Sequence, residues 1–83
     1  NYPNPVSVST TIPFTLSKTE DVRLSICDVL GREVAVLVDG TRMSGEQSVS
    51  FDATRLRAGI YFSVLRTSSA VETRKMLVVD SLR

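Results

Sequence analysis

One cysteine and nine carboxylates are the side chains of this 83-residue sequence best placed to do chemistry, and histidine is absent. Without histidine, the commonest general base, the Ser-His-Asp arrangement and every His-containing zinc site are excluded. Cys27 stands alone, so it can form neither a disulfide within the chain nor an all-thiolate metal site. No partner base is present to activate it, and next to Ile26 it reads as a small filler on a sheet face. The carboxylates are Glu20, Asp21, Asp28, Glu33, Asp39, Glu46, Asp52, Glu72 and Asp80. Glycoside hydrolysis needs two carboxylates facing each other across a cleft, and a chain of this size has little room for one. A calcium loop needs closely spaced oxygen ligands, and no Asp-x-Asp spacing occurs. Asp28, Asp39 and Asp52 fall instead where turns are expected, positions at which Asp bonds its own backbone. Gly31, Gly40, Gly45 and Gly59 occur singly and match no phosphate-cradling pattern. The aromatics Tyr2, Phe14, Phe51, Tyr61 and Phe62 fall mostly on inward faces, which favours packing over a stacking platform for sugars. The residues thus point to no catalytic site, no metal and no cofactor.

Composition narrows the class further. Apolar residues make up 42% and charged residues 23%, proportions of a folded domain rather than a disordered tail. The ten Lys and Arg residues are scattered from Lys18 to Arg83 and the net charge is +1, so there is no basic stripe for nucleic acid. No apolar run approaches the ~20 residues of a membrane helix, so no membrane insertion is expected. The start lacks the basic-then-apolar pattern of a signal peptide. It opens instead on Asn1-Tyr2-Pro3-Asn4-Pro5, which reads as a linker entering a domain cut from the end of a longer protein. The expected organisation is a single domain over 1–83, with residues 1–9 as linker and first-strand approach. A domain this short buries only about 60–65% of its unfolded surface, so its core is thin. A lone cysteine leaves the redox compartment open.

The elements that must position these residues are strands. Short apolar segments recur between turn residues, the all-β pattern. Thr10–Leu16 places Ile12, Phe14 and Leu16 on one face, and Pro13 makes it an edge strand or a broken one. In Asp21–Val29, Val22, Leu24 and Ile26 alternate with Arg23, Ser25 and Cys27, which predicts one buried and one wet face. Asp28-Val29-Leu30-Gly31 reads as a type I turn closed by a left-handed glycine. Glu33–Val38 returns, with Val34, Val36 and Val38 on one face and Ala35 and Leu37 on the other. Asp39-Gly40 is expected to break it. Gln47–Phe51 is the next strand, with Val49 and Phe51 inward. Asp52 is placed to cap a single helical turn that Gly59 ends. Gly59–Thr67 and Val71–Val79 complete the set. Leu56-x-x-Gly59-x-Tyr61 has the spacing of a tyrosine corner, whose hydroxyl pins the backbone a few residues upstream. The expected fold is an immunoglobulin-like antiparallel β-sandwich of about seven strands, with structural turns at Asp28, Gly31, Asp52 and Gly59.

Taken as a whole, the chain resembles the C-terminal sorting domain of the type IX (Por) secretion system. Asn1-Tyr2-Pro3-Asn4-Pro5 and Thr11-Ile12-Pro13-Phe14 look like its opening. Asp28-Val29-Leu30-Gly31-Arg32-Glu33-Val34 resembles its central hairpin. Asp52-Ala53 with Leu56 and Gly59-Ile60-Tyr61 resembles the next block, and Thr73-Arg74-Lys75-Met76-Leu77-Val78-Val79 the closing strand. Two departures stand out. Cys27 occupies a position often aromatic in that family, and Asp80-Ser81-Leu82-Arg83 follows Val79 where many members end on a basic residue.

The resemblance implies an Ig-like module at the end of a secreted or surface protein of a Gram-negative bacterium. Its partners would be an N-terminal passenger in the same chain, the outer-membrane translocon and a sortase. The parent would reach the cell surface or medium by way of the periplasm. The resemblance also places recognition by the translocon in Gly59-Ile60-Tyr61 and in Lys75, Met76, Leu77, Val78 and Val79. A last strand at a sheet edge could be read by strand addition, and an exposed edge would also permit weak dimers. Two other functions compete. One is a structural Ig-like spacer, as in flagellar hook-capping proteins; the other is a carbohydrate-binding accessory module. More chain after Arg83 would favour the spacer, and binding to polysaccharide would favour the module.

Overall fold

The computed structural model describes residues 5–6 and 9–79. It is an all-β, sandwich-like pair of sheets with no α-helix among the described residues. The strands are β1 (Pro5–Val6), β2 (Ser9–Leu16), β3 (Glu20–Cys27), β4 (Glu33–Arg42), β5 (Gly45–Asp52), β6 (Gly59–Arg66) and β7 (Val71–Val78). Six are full strands of 8–10 residues, and the seventh, β1, is described at Pro5–Val6. The larger sheet runs β1-β7-β6-β3-β4, and the smaller pairs β2 with β5. All pairings are antiparallel except that of β1 with β7.

The order β7-β6-β3-β4, facing a separate β2-β5 pair, matches the variable-type immunoglobulin plan, in which an added strand extends the three-stranded sheet. Among the described strands β2 pairs with β5 alone, and a strand with one partner accommodates Pro13. Asp52 caps the 3₁₀ turn at Ala53–Arg55, accepting from the Thr54 amide at 3.0 Å and its hydroxyl at 2.7 Å. The turn ends at Leu56 rather than at Gly59, because the Leu56 amide already bonds the Ala53 carbonyl. Gly59 instead opens β6 at φ +156°, a conformation favouring glycine.

The core lies between the sheets in two clusters. Phe14, Leu16, Val22, Leu24, Val38 and Leu65 form one; Ile26, Phe51, Ala53 and Val78 form the other. Residues paired across neighbouring strands share a face, so the register identifies which side chains look inward. Val22, Leu24 and Ile26 do, as their alternation predicts. Their alternates are not all wet, however: Ser25 and Cys27 are buried too. Each is a small side chain at mid-sheet between larger neighbours, Ser25 between Val36 and Val64, Cys27 between Glu33 and Phe62.

β4 departs from its expected parity. The β3–β4 register slips between Leu24 and Ser25 and again between Ile26 and Cys27, leaving Leu37 and Val34 as extra residues on β4. Each slip reverses the alternation. Val38, Ala35 and Leu37 therefore contribute to the core, while Val34 and Val36 are exposed. Nor does Asp39-Gly40 break the strand, because β3 extends to meet it. Val22 pairs with Gly40, Asp39 accepts from Arg23 at 3.1 Å, and the Thr41 hydroxyl donates to Asp21 at 2.6 Å.

Candidate functional site

Tyr61 stands at the start of β6, with its hydroxyl donating to the Arg57 carbonyl at 2.8 Å. That bond is the tyrosine corner expected from the spacing. It ties the incoming loop to the strand that carries Gly59, Ile60 and Tyr61. β7 then runs antiparallel beside them, in the register Gly59 with Val78, Ile60 with Leu77, Tyr61 with Met76 and Phe62 with Lys75. The two segments singled out in the sequence are thus direct cross-strand partners and form one patch.

Alternation splits the patch between two faces. Tyr61 and Met76 pack against the inner cluster, of which Val78 is a member at 2% exposure. Ile60 and Leu77 point away from the core, 40% and 41% exposed, with Lys75 exposed on the same face. Val79 lies just past the strand and is half-buried. Of the expected recognition residues, Ile60, Lys75 and Leu77 therefore present exposed side chains. Met76 and Val78 anchor the strand, and Gly59 and Tyr61 shape its neighbour.

The β3–β4 turn lies at the same end of the sheet, since Cys27 pairs with both Phe62 and Glu33. Gly31 donates to the Asp28 carbonyl at 3.0 Å and sits at φ +83°. Asp28 Oδ1 accepts from the amides of Leu30 (2.9 Å) and Arg32 (3.0 Å), and Oδ2 accepts from Arg32 Nε (3.0 Å). These bonds, led by the Arg32 amide, hold the Asp28 carboxyl below its usual range. The turn so fixed exposes Val29 (66%) and Leu30 (73%). Sequence reasoning assigned those two only to a turn; two aliphatic residues at the tip of a hairpin, where polar residues are usual, were the available signal.

Arg23 spans the outer face of β3 and β4. It makes two bonds to Glu33 (2.7 and 3.1 Å) and one to Asp39 (3.1 Å). The hydrogen bond and charge of Glu33 raise the Arg23 pKa, and the same bond lowers that of Glu33. All three groups are well exposed, so this cluster sets surface charge more than stability. Among the described residues, no three Cys, Asp or Glu side chains are grouped to hold a metal ion.

The family model of the secretion system C-terminal sorting domain matches residues 1–79. The chain belongs to that family. Such a domain is the sorting signal of type IX secretion and directs a larger passenger protein to the cell surface or the medium. The family is one of sorting signals, not of enzymes. No curated protein and no solved structure matches the chain.

Proposed function

We propose that this sorting domain is read by the outer-membrane translocon, and then by a sortase, at the end of the sheet where β6 begins and β7 finishes. The observation that carries this reading is the register pairing Gly59–Phe62 with Lys75–Val78, which makes one surface of two segments distant in sequence. An exposed aliphatic pair, Ile60 and Leu77, forms the apolar centre and Lys75 supplies a charge beside it. That is the usual anatomy of a small docking surface. No described strand pairs with the outer edge of β7 over Val71–Met76, and that edge offers backbone groups for strand addition as well. The same edge permits weak pairing with a second copy of the domain. In this reading the domain is a binding module that performs no catalysis.

The test is a fusion of the chain to a periplasmic reporter, in a host carrying the type IX system. Export of the intact fusion is expected, and trimming from Arg83 back past Lys75 should hold the reporter in the periplasm. Trimming also removes the buried Val78, so the I60S/L77S variant, which touches only exposed side chains, is the cleaner probe. Its retention in the periplasm with the fold intact is expected; export equal to the parent would overturn the assigned surface.

A further inference from the structure

β7 is not a free edge along its whole length. Pro5 pairs with Leu77 and Val6 with Val78, in parallel, so β1 covers the end of the strand that the proposed function makes the recognition element. Among the described residues, the outer edge of β7 is paired at Leu77–Val78 alone.

β1 is suited to be a temporary occupant. Among the described strands it alone is paired in parallel, the slightly weaker geometry per residue. Pro5 has no amide hydrogen to donate, so β1 carries one backbone donor fewer than another residue there would give it. The edge beneath it has already shown what it accepts, an extended segment lying parallel to β7. All eight residues of β7 are in continuous register with β6, with no bulge to disturb a newly added strand.

We infer that β1 is a latch on the recognition edge: a partner that reads β7 by strand addition displaces Pro5–Val6, enters parallel in its place, and so gains the edge at Leu77–Val78. The inference rests on the sorting reading above and adds a condition to it. The segment joining the domain to its passenger then controls how much of the signal is open.

Two variants test the latch. P5G/V6G loosens it, and V6C/V78C in a C27S background staples it shut by a disulfide. The single-cysteine V6C/C27S and V78C/C27S variants control for the substitutions themselves. In the purified domain, whichever of the Leu77 and Val78 amides faces β1 rather than β6 should exchange on the order of tenfold faster in P5G/V6G than in the parent, with the remaining strands unchanged. Equal exchange would overturn the latch whatever happens in secretion. In the reporter fusion, the stapled variant should stay in the periplasm while both single-cysteine controls and P5G/V6G are exported. Export of the stapled variant at the control rate would overturn the latch. So would loss of export by a folded P5G/V6G, since β1 would then belong to the recognised surface. Failure of the unsubstituted fusion to leave the periplasm would count against the sorting reading instead, and the exchange measurement would still decide the latch.

Discussion

The larger sheet ends in two strands of opposite character. β4 forms one margin over Glu33–Arg42, and β7 with its β1 cover forms the other. β4 carries two register slips, at Leu37 and Val34, and no described strand pairs with its outer side. β7 has an unbroken register over Val71–Val78 and is covered at its end. Bulges twist a margin away from strand addition, whereas a regular margin is a template for it. The difference teaches that a sheet can expose two edges and still offer only one for pairing. On the β4 side the slips also send Val34 and Val36 outward and Val38 inward, so protecting that edge changes which residues build the core.

The comparison depends on a core shared by both margins, and breaking that core has the largest expected effect. Ile26 is fully buried and lies in one cluster with Phe51, Ala53 and Val78, with Ala35 of β4 packed against it. Ile26→Ala should cost about 2–5 kcal/mol. A domain of this size has roughly 4–12 kcal/mol in total, so the thermal midpoint should fall by about 10 °C or more. Differential scanning calorimetry checks this, and both edges should lose amide protection together. A midpoint within a degree or two of the parent would mean that the two margins do not share a core.

Adding charge to each margin in turn sharpens the comparison without touching the core. Val71 and Thr73 are exposed on the outer face of β7, and Val34 and Val36 are exposed on β4. V71K/T73K and V34K/V36K should each leave folding stability within about 0.5 kcal/mol per site, as exposed positions usually do. Export of the reporter fusion should fall severalfold for the β7 pair and hold for the β4 pair. Equal losses from both would erase the functional asymmetry of the edges.

The sequence made these margins legible to different degrees. Turn chemistry was readable because it is local. Asp28 with Gly31, Asp52 with Thr54, and Tyr61 with Arg57 all act within four residues. The alternation of Val22, Leu24 and Ile26 was readable for the same reason. The parity of β4 was not, because its slips are marked by Val34 and Leu37, ordinary strand formers, and not by glycine or proline. The continuation of β4 through Asp39-Gly40 depends on Arg23 and Asp21 of the neighbouring strand, which no local pattern announces. The β1–β7 pairing joins residues 72 positions apart in the chain, through a segment whose prolines read as linker. Within the candidate site, the two blocks were legible, and the register that unites them was not.

A smaller effect is expected at the start of β6, where the tyrosine corner holds the strand next to β7. Tyr61→Phe removes one hydroxyl and its bond to the Arg57 carbonyl while keeping the ring against the inner cluster. A net hydrogen bond is worth about 1 kcal/mol, a midpoint shift of about 4–8 °C in a domain of this size. Calorimetry of the single variant measures it. Because the bond lies on the β7 side, amide exchange should rise at Ile60 and Leu77 and not along β4. A rise spread evenly over both margins would show that the corner stiffens the whole sandwich.

The smallest effect belongs to the β4 side and depends on pH. The Asp28 carboxylate accepts two amides and the Arg32 guanidinium, and its pKa is lowered from the usual 3.8, chiefly by the Arg32 amide. A carboxyl with a depressed folded-state pKa binds its proton more weakly in the native chain than in the unfolded one. Its stabilising contribution is therefore complete above the unfolded value and is lost as pH falls through the lower folded value. Asp28→Asn has nothing to titrate and cannot reproduce the charged bond to Arg32. The variant should consequently melt below the parent at neutral pH, and the gap should close as the solution is acidified past the ordinary carboxylate range. Melting curves of both proteins from neutral pH into the acid range check this. The lowered pKa of Glu33, held by Arg23, adds to the acid sensitivity of both proteins alike and drops out of their difference. A gap that stays constant with pH would mean that the turn is held by its backbone bonds and Gly31 alone, and that the charge of Asp28 contributes nothing to the β4 margin.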